Sequence, residues 1–180
     1  KIMKKATYII DSNCITPLGF DVNSNFNALL QQKSGVQKHL KVGNIENFYS
    51  SIIDNELLNQ KFQSISNNRS FTKLEKMMVL ALEPIIKRNT VGSKSAFIFS
   101  TTKGNIDALE NSENPISAAM LSSLAKKIAD YFDFQTEPIV LSNACVSGVL
   151  AISVAKRMIE NGVYNDAFVI AGDVVSEFVL

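Results

Sequence analysis

"SNACVSGVLAISVAKRMIENGVYNDAFVIAGD", residues 142–173, decides the fold. The apolar run "PIVLSN" before and into it reads as a strand, "CVSGVLAISVAKRMIEN" as a helix closed by Gly162, and "DAFVIAG" as a further strand. A strand, a helix of this length and a second strand make a parallel pair joined by a right-handed crossover. The chain must turn sharply between the first strand and the helix, with Cys145 in or near the first helical turn. Free backbone N–H groups and the positive end of the helix dipole stabilise an anion there. A thiol so placed loses its proton more readily than a free cysteine, whose pKa is about 8.5. The same amides can donate to a developing oxyanion, and Gly148 lets another backbone or a substrate arm come close. Local sequence leaves a second reading equally open, since cysteine is often a small buried hydrophobe.

Working outward, "SAFIFS" (residues 95–100) is a short unbroken apolar run of the kind buried on both sheet faces, and "TTKGN" is the loop after it. Upstream, "TKLEKMMVLALEPIIKRN" predicts a helix with capping-box spacing between Thr72 and Glu75. Its buried face is Leu74, Met77, Met78, Ala81, Leu82, Ile85 and Ile86, and Pro84 is expected to bend it. A further helix is expected to open at Asn114 and Pro115 with the stripe Ile116, Met120, Leu124, Ile128 and Tyr131. At the N-terminus, "ATYII" reads as a strand, "TPLGFD" as a turn ending in the N-cap Asp21, and residues 22–32 as a helix ended by Gly35. Its apolar face, Val22, Phe26, Leu29 and Leu30, needs a covering element. Residues 36–69 sustain no period and read as an irregular excursion with one short helix near 55–62. The whole is α/β, expected as one domain over residues 1–180 with helices covering a mostly parallel sheet.

At 46% hydrophobic the chain has the makings of a real core. Its 18 basic and 17 acidic residues give a net charge of +1, which speaks against nucleic-acid or polybasic membrane binding. No apolar run approaches the roughly 20 residues of a membrane span, and "KIMKKATYII" breaks into alternation too soon for a signal peptide, so the cytoplasm is the expected compartment. Cys14 and Cys145 stand far apart and match no paired metal spacing, so neither a disulfide framework nor a metal site is expected.

Residues 142–173 resemble the active-site segment of the β-ketoacyl synthases. That pattern is a strand, then Ala-Cys-small-Ser/Thr-Gly, a helix ending in glycine, and a strand ending in Ala-Gly-Gly. Ala144, Cys145, Ser147, Gly148, Ala151, Ile152, Ala155, Ile159, Gly162, Asp166, Ala171 and Gly172 stand where the pattern puts such residues. "ITPLGFDVNSNFNALLQQKSGV" is similar to the family's opening, and "SAFIFSTTKGN" resembles its second strand with the glycine-bearing loop. The resemblance implies a thiolase-like half, a three-layer helix–sheet–helix fold, incomplete by comparison because Leu180 falls inside the first of two similar halves. It implies an acyl chain of fatty-acid or polyketide-type synthesis carried as a thioester on Cys145, no cofactor, and an acyl carrier protein or acyl-CoA thioester as donor. It implies a sheet order of third, second, first, fourth and fifth strand. "PIVLSN" would then lie at an edge, where two subunits pair through residues 139–142 in a homodimer or a heterodimer with a complete ketosynthase.

Departures from the pattern limit what is expected. Asp11 and Asn13 replace two glycines, as residue types that tolerate left-handed backbone, and Asp173 replaces the second glycine of Ala-Gly-Gly. Cys14 stands at an aliphatic position and is expected in the core. The family's two catalytic histidines and lysine belong to its second half, and His39 matches neither histidine; a solvated surface place is expected for it. Acyl transfer without condensation is therefore the expected limit of these residues. The alternative is a non-catalytic synthase-like subunit that partners a complete ketosynthase, and an unrelated cysteine hydrolase lacks a base. Paired Met77 and Met78 are expected to pack in the core rather than line an acyl tunnel. Lys126, Lys127, Lys156 and Arg157 are expected on solvated helix exteriors rather than at a carrier-protein site.

Overall fold

Strand β3 (Ser95–Ser100) is buried at all six positions, as an unbroken apolar run requires. It is the centre of a three-stranded parallel sheet in the order β4–β3–β5, with β4 Ile139–Leu141 and β5 Asp166–Ala171. The computed structural model describes residues 6–68, 70–110 and 115–180. Alternation along β3 serves two cores. Phe97 and Phe99 face α3 (Lys73–Arg88) and α4 (Leu121–Tyr131), packing with Leu74, Met78, Leu82, Leu124 and Ile128. Ala96 and Ile98 face α5 (Ser147–Glu160) through Ala151 and Ala155. The result is the expected three-layer helix–sheet–helix fold. Truncating either phenylalanine to alanine would cost about 3–5 kcal/mol.

Local signals explain the best-formed elements. Thr72 and Glu75 close the capping box of α3, and the helix runs on through Pro84. Asp21 caps α1 (Val22–Leu30) by accepting from Ser24 N at 2.7 Å. The turn before it is closed by a reciprocal pair of backbone bonds between Thr16 and Gly19. Helix α2 (Asn55–Gln63) lies where a short helix was expected, capped by Asp54. Gly162, at φ +71, carries the chain off the end of α5 in a conformation that disfavours other residues.

Several expectations are corrected. Residues 6–10 belong to no strand, and Tyr8, Ile9 and Ile10 are exposed, Ile10 by 81%. β3 pairs with β5 directly over six residues, so the implied order with the first strand between them does not hold. The face of α1 expected to be covered is exposed at Phe26, Leu29 and Leu30, while Asn25 and Ala28 are buried. The Asn25 amide donates to the carbonyls of Gly19 (3.0 Å) and Asp21 (2.8 Å), so the helix is seated by a polar anchor. Gln32 at φ +55, not Gly35, turns the chain after α1, with Lys33 N donating to Ala28 O.

The supposed excursion contains an antiparallel hairpin, β1 (Gln37–Val42) and β2 (Ile45–Ser50), joined at Gly43 and Asn44. The helix expected from Asn114 is broken. Residues Ile116–Ala119 form a 3-10 turn, Met120 is extended, and α4 begins at Leu121. Ile116 and Met120 are accordingly exposed while Leu124 and Ile128 are buried. The expected opening at Asn114 itself lies outside the described residues.

Candidate active site at Cys145

The carboxyl ends of β3, β4 and β5 meet at one end of the sheet. Thr101 N donates to Leu141 O, and Gly172 N to Ser100 O. From Leu141 the chain reaches a 3-10 turn, Ala144–Val146, that leads into α5. Ala144 adopts φ +44, a left-handed conformation that costs a non-glycine residue about 1–2 kcal/mol. Such strain is held only where the surroundings over-determine it. Here Val146 N donates to Asn143 O at 3.1 Å, and the Ser147 hydroxyl accepts from Asn143 N at 2.8 Å and donates to Ala144 O at 2.7 Å. Cys145, between these bonds, is exposed. A Cβ on Gly148 would lie 3.3 Å from Ala171 Cβ, so the glycine serves close packing of α5 on β5.

Beside this turn, the loop after β3 is held by Asp173. Its carboxylate accepts from Thr101 Oγ1 (2.8 Å), Thr102 N (3.0 Å) and Lys103 N (3.1 Å). Thr101 Oγ1 in turn accepts from Gly104 N at 2.9 Å. The far end of the loop is fixed by Asn105, whose amide donates to Glu75 Oε1 at 3.1 Å. Glu75 also accepts from Thr72 N and from Lys127 Nζ at 2.7 Å, tying α3, the loop and α4 together. A small cavity of about 180 Å³ opens between Ile15, Ile53, Lys73, Met77, Asp173 and Val174. Burial holds the Lys73 ammonium below the usual lysine range, against the opposing pull of Asp54 and Asp107, and it donates to Ile53 O at 2.7 Å.

The residues singled out in the sequence fall into distinct places. Cys14 is half-buried, not in the core. His39 lies on β1, its ring stacked on Phe48 and its Nε2 3.1 Å from Ser50 O, so it is engaged in the hairpin rather than freely solvated. Asp11 and Asn13 take no left-handed backbone. Asp11 instead binds Arg88 and Asn89, and Asn13 donates to Ala81 O, so the segment is tethered to α3 by side chains. Met78 is core as expected, and Met77 lines the small cavity. Lys126, Lys127 and Lys156 are paired with Asp130, Glu75 and Glu160. The roles of Ser147, Asp173 and Asn105 were missed. A polar residue in place of an expected glycine was the available signal for Asp173. Among the described residues no group of three or more His, Cys, Asp or Glu is placed to hold a metal, and no helix is long and apolar enough to cross a membrane.

A parallel sheet between helix layers, with a cysteine on the strained turn from strand to helix, is a fold similar to that of solved ketosynthase/chain length factor proteins. Residues 141–179 match the family model of 3-oxoacyl-[acyl-carrier-protein] synthase III. Among solved structures the chain is similar to "The ishigamide ketosynthase/chain length factor", with a TM-score of 0.71 and 14% identity over 92% of this chain and 54% of that one. It is similar also to the ketosynthase ApeO in complex with its chain length factor ApeC from Xenorhabdus doucetiae, with a TM-score of 0.63 and 18% identity over 94% of this chain and 47% of that one. The chain thus spans about half the length of the structures it matches. No curated protein matches it.

Proposed function

We propose that the protein is a ketosynthase-like subunit that receives an acyl chain as a thioester on Cys145. The observation that carries this reading is the exposed Cys145 on its strained turn, within the segment that matches the synthase family model. In the transfer, Cys145 Sγ forms a bond to the thioester carbonyl carbon, the bond to the donor's sulfur breaks, and the proton of Cys145 passes to the departing thiolate. Backbone amides at the turn supply hydrogen bonds to the carbonyl oxygen as it becomes an oxyanion. The donor is an acyl carrier protein or acyl-CoA thioester of fatty-acid or polyketide-type synthesis. His39 is engaged in the hairpin, so carbon–carbon bond formation is not assigned to the described residues. Limited iodoacetamide followed by peptide mapping tests the site: Cys145 should label ahead of Cys14, and the reverse order would refute the assignment.

A second reading, a partner subunit that shapes a ketosynthase dimer, is favoured by one surface. β4 lies at an edge of the sheet, and beside it Val146, Val149 and Ile152 of the following turn and helix are exposed. An apolar edge strand with unpaired backbone groups needs covering. Antiparallel pairing of residues 139–142 across a two-fold axis, with a second copy or with a complete ketosynthase, would cover it and bring Cys145 near the interface. The two readings are compatible. A variant Cys145→Ser that still assembles with a ketosynthase and supports its product would leave only the second.

A further inference from the structure

We infer that Ser147 is a positioning residue for acyl transfer: its buried hydroxyl fixes the peptide that carries the Cys145 N–H, so that this amide faces the incoming thioester carbonyl. The inference rests on the proposed acyl-transfer reading and adds a role for a side chain that does not itself touch the acyl group.

Ser147 is 6% exposed and lies at the start of α5. A serine capping a helix accepts from amides two or three residues further along. Ser147 Oγ does the reverse, reaching back to accept from Asn143 N and donate to Ala144 O. The Ala144 carbonyl is held twice, because Ser147 N donates to it as well. That carbonyl belongs to the same planar peptide unit as Cys145 N–H, and in a trans peptide the two groups point in opposite directions. Since the carbonyl aims at a buried hydroxyl, the Cys145 N–H aims away from the interior, towards the side on which the exposed thiol lies. Among the described residues no acceptor is bonded to it. On the other side of Ala144, the residue at φ +44, the hydroxyl holds the Ser142–Asn143 peptide through Asn143 N, and the peptide between is held by Val146 N donating to Asn143 O.

The test compares two reactions of Cys145. Octanoyl-N-acetylcysteamine transfers its acyl group through an oxyanion, whereas iodoacetamide alkylates the thiol without one. Ser147→Ala should slow acylation about tenfold, a part of the 10²–10³ that outright loss of an oxyanion donor costs, and leave alkylation within about twofold of the wild type. Ser147→Thr, which keeps a hydroxyl, should restore acylation. An equal loss in both reactions, or no loss in either, would overturn the inference. In ¹⁵N-labelled protein the Cys145 amide resonance should move in Ser147→Ala, beyond the mean shift of amides outside residues 142–148, and hold its place in Ser147→Thr. An unmoved Cys145 amide overturns the assignment of Ser147. Wild-type protein that alkylates at Cys145 yet takes no octanoyl group refutes the acyl-transfer reading instead, and the amide resonance then decides Ser147 alone.

Discussion

Replacing Glu75 by alanine should destabilise the protein by about 2–4 kcal/mol. Glu75 is 3% exposed and accepts from three donors on three elements: Thr72 N at the start of α3, Asn105 Nδ2 in the loop after β3, and Lys127 Nζ on α4. Removing one partner of a buried ion pair costs about 3–5 kcal/mol, because the other charge is left uncompensated. Lys127 keeps 34% of its side chain exposed and can turn partly to water, which lowers that figure. The Asn105 amide, buried with its residue at 1% exposure, has no such escape and adds back part of the loss. The capping box is lost at the same time. Urea unfolding followed by circular dichroism measures the change, as a lower midpoint at an unchanged slope. A cycle with Lys127→Met should show coupling of at least about 1 kcal/mol, with the double variant less damaged than the sum of the singles. A Glu75→Ala loss within about 0.5 kcal/mol of zero, or strict additivity with Lys127→Met, would refute the account of how α3, α4 and the loop are joined.

Asp173→Ala should cost about 1–3 kcal/mol, because the exposed Thr102 and Lys103 amides regain water while the buried Thr101 hydroxyl loses its acceptor; chemical unfolding with no change would show that the carboxylate does not hold the loop. Burial raises the Asp107 pKa above the ordinary 3.8, so its folded form holds the proton more tightly than the unfolded chain and the ionised carboxylate is a liability at neutral pH. Asp107→Asn should therefore raise the melting temperature at pH 7, and the gap to the wild type should close as pH falls through the raised pKa towards 3.8; a gap that widens on acidification would contradict the sign. Val149→Lys, at a side chain 72% exposed beside β4, should convert an assembly seen by sedimentation into monomer while circular dichroism stays native. A stable monomer before the substitution, or an assembly indifferent to it, would refute pairing through β4.

Where the signal was local and strong, residues alone were enough. The apolar run of β3, the Thr72–Glu75 capping box and the strand–turn–helix around Cys145 each specify their own conformation over a few positions. Other features depend on partners distant in sequence. The face of α1 has a helical period, yet Asn25 is what docks, because its amide finds the carbonyls of the turn before it. Residues 6–10 have strand composition and no strand beside them, since β3 and β5 pair directly. The hairpin β1–β2 had a readable sign in Gly43 and Asn44 between strand-compatible runs; its polar, half-exposed strands hid the period. At the site, Cys145 was visible from its motif. Ser147 was visible only as a residue type, because its role lies in bonds made backwards to Asn143 and Ala144.

The most direct test of the central claim is to incubate the protein with an octanoyl-loaded acyl carrier protein, then weigh the intact chain and map its peptides. The account predicts one octanoyl group per chain, on Cys145, removed by hydroxylamine and absent from Cys145→Ser. An adduct on Cys14, or an unmodified chain under conditions where iodoacetamide labels Cys145, would contradict it.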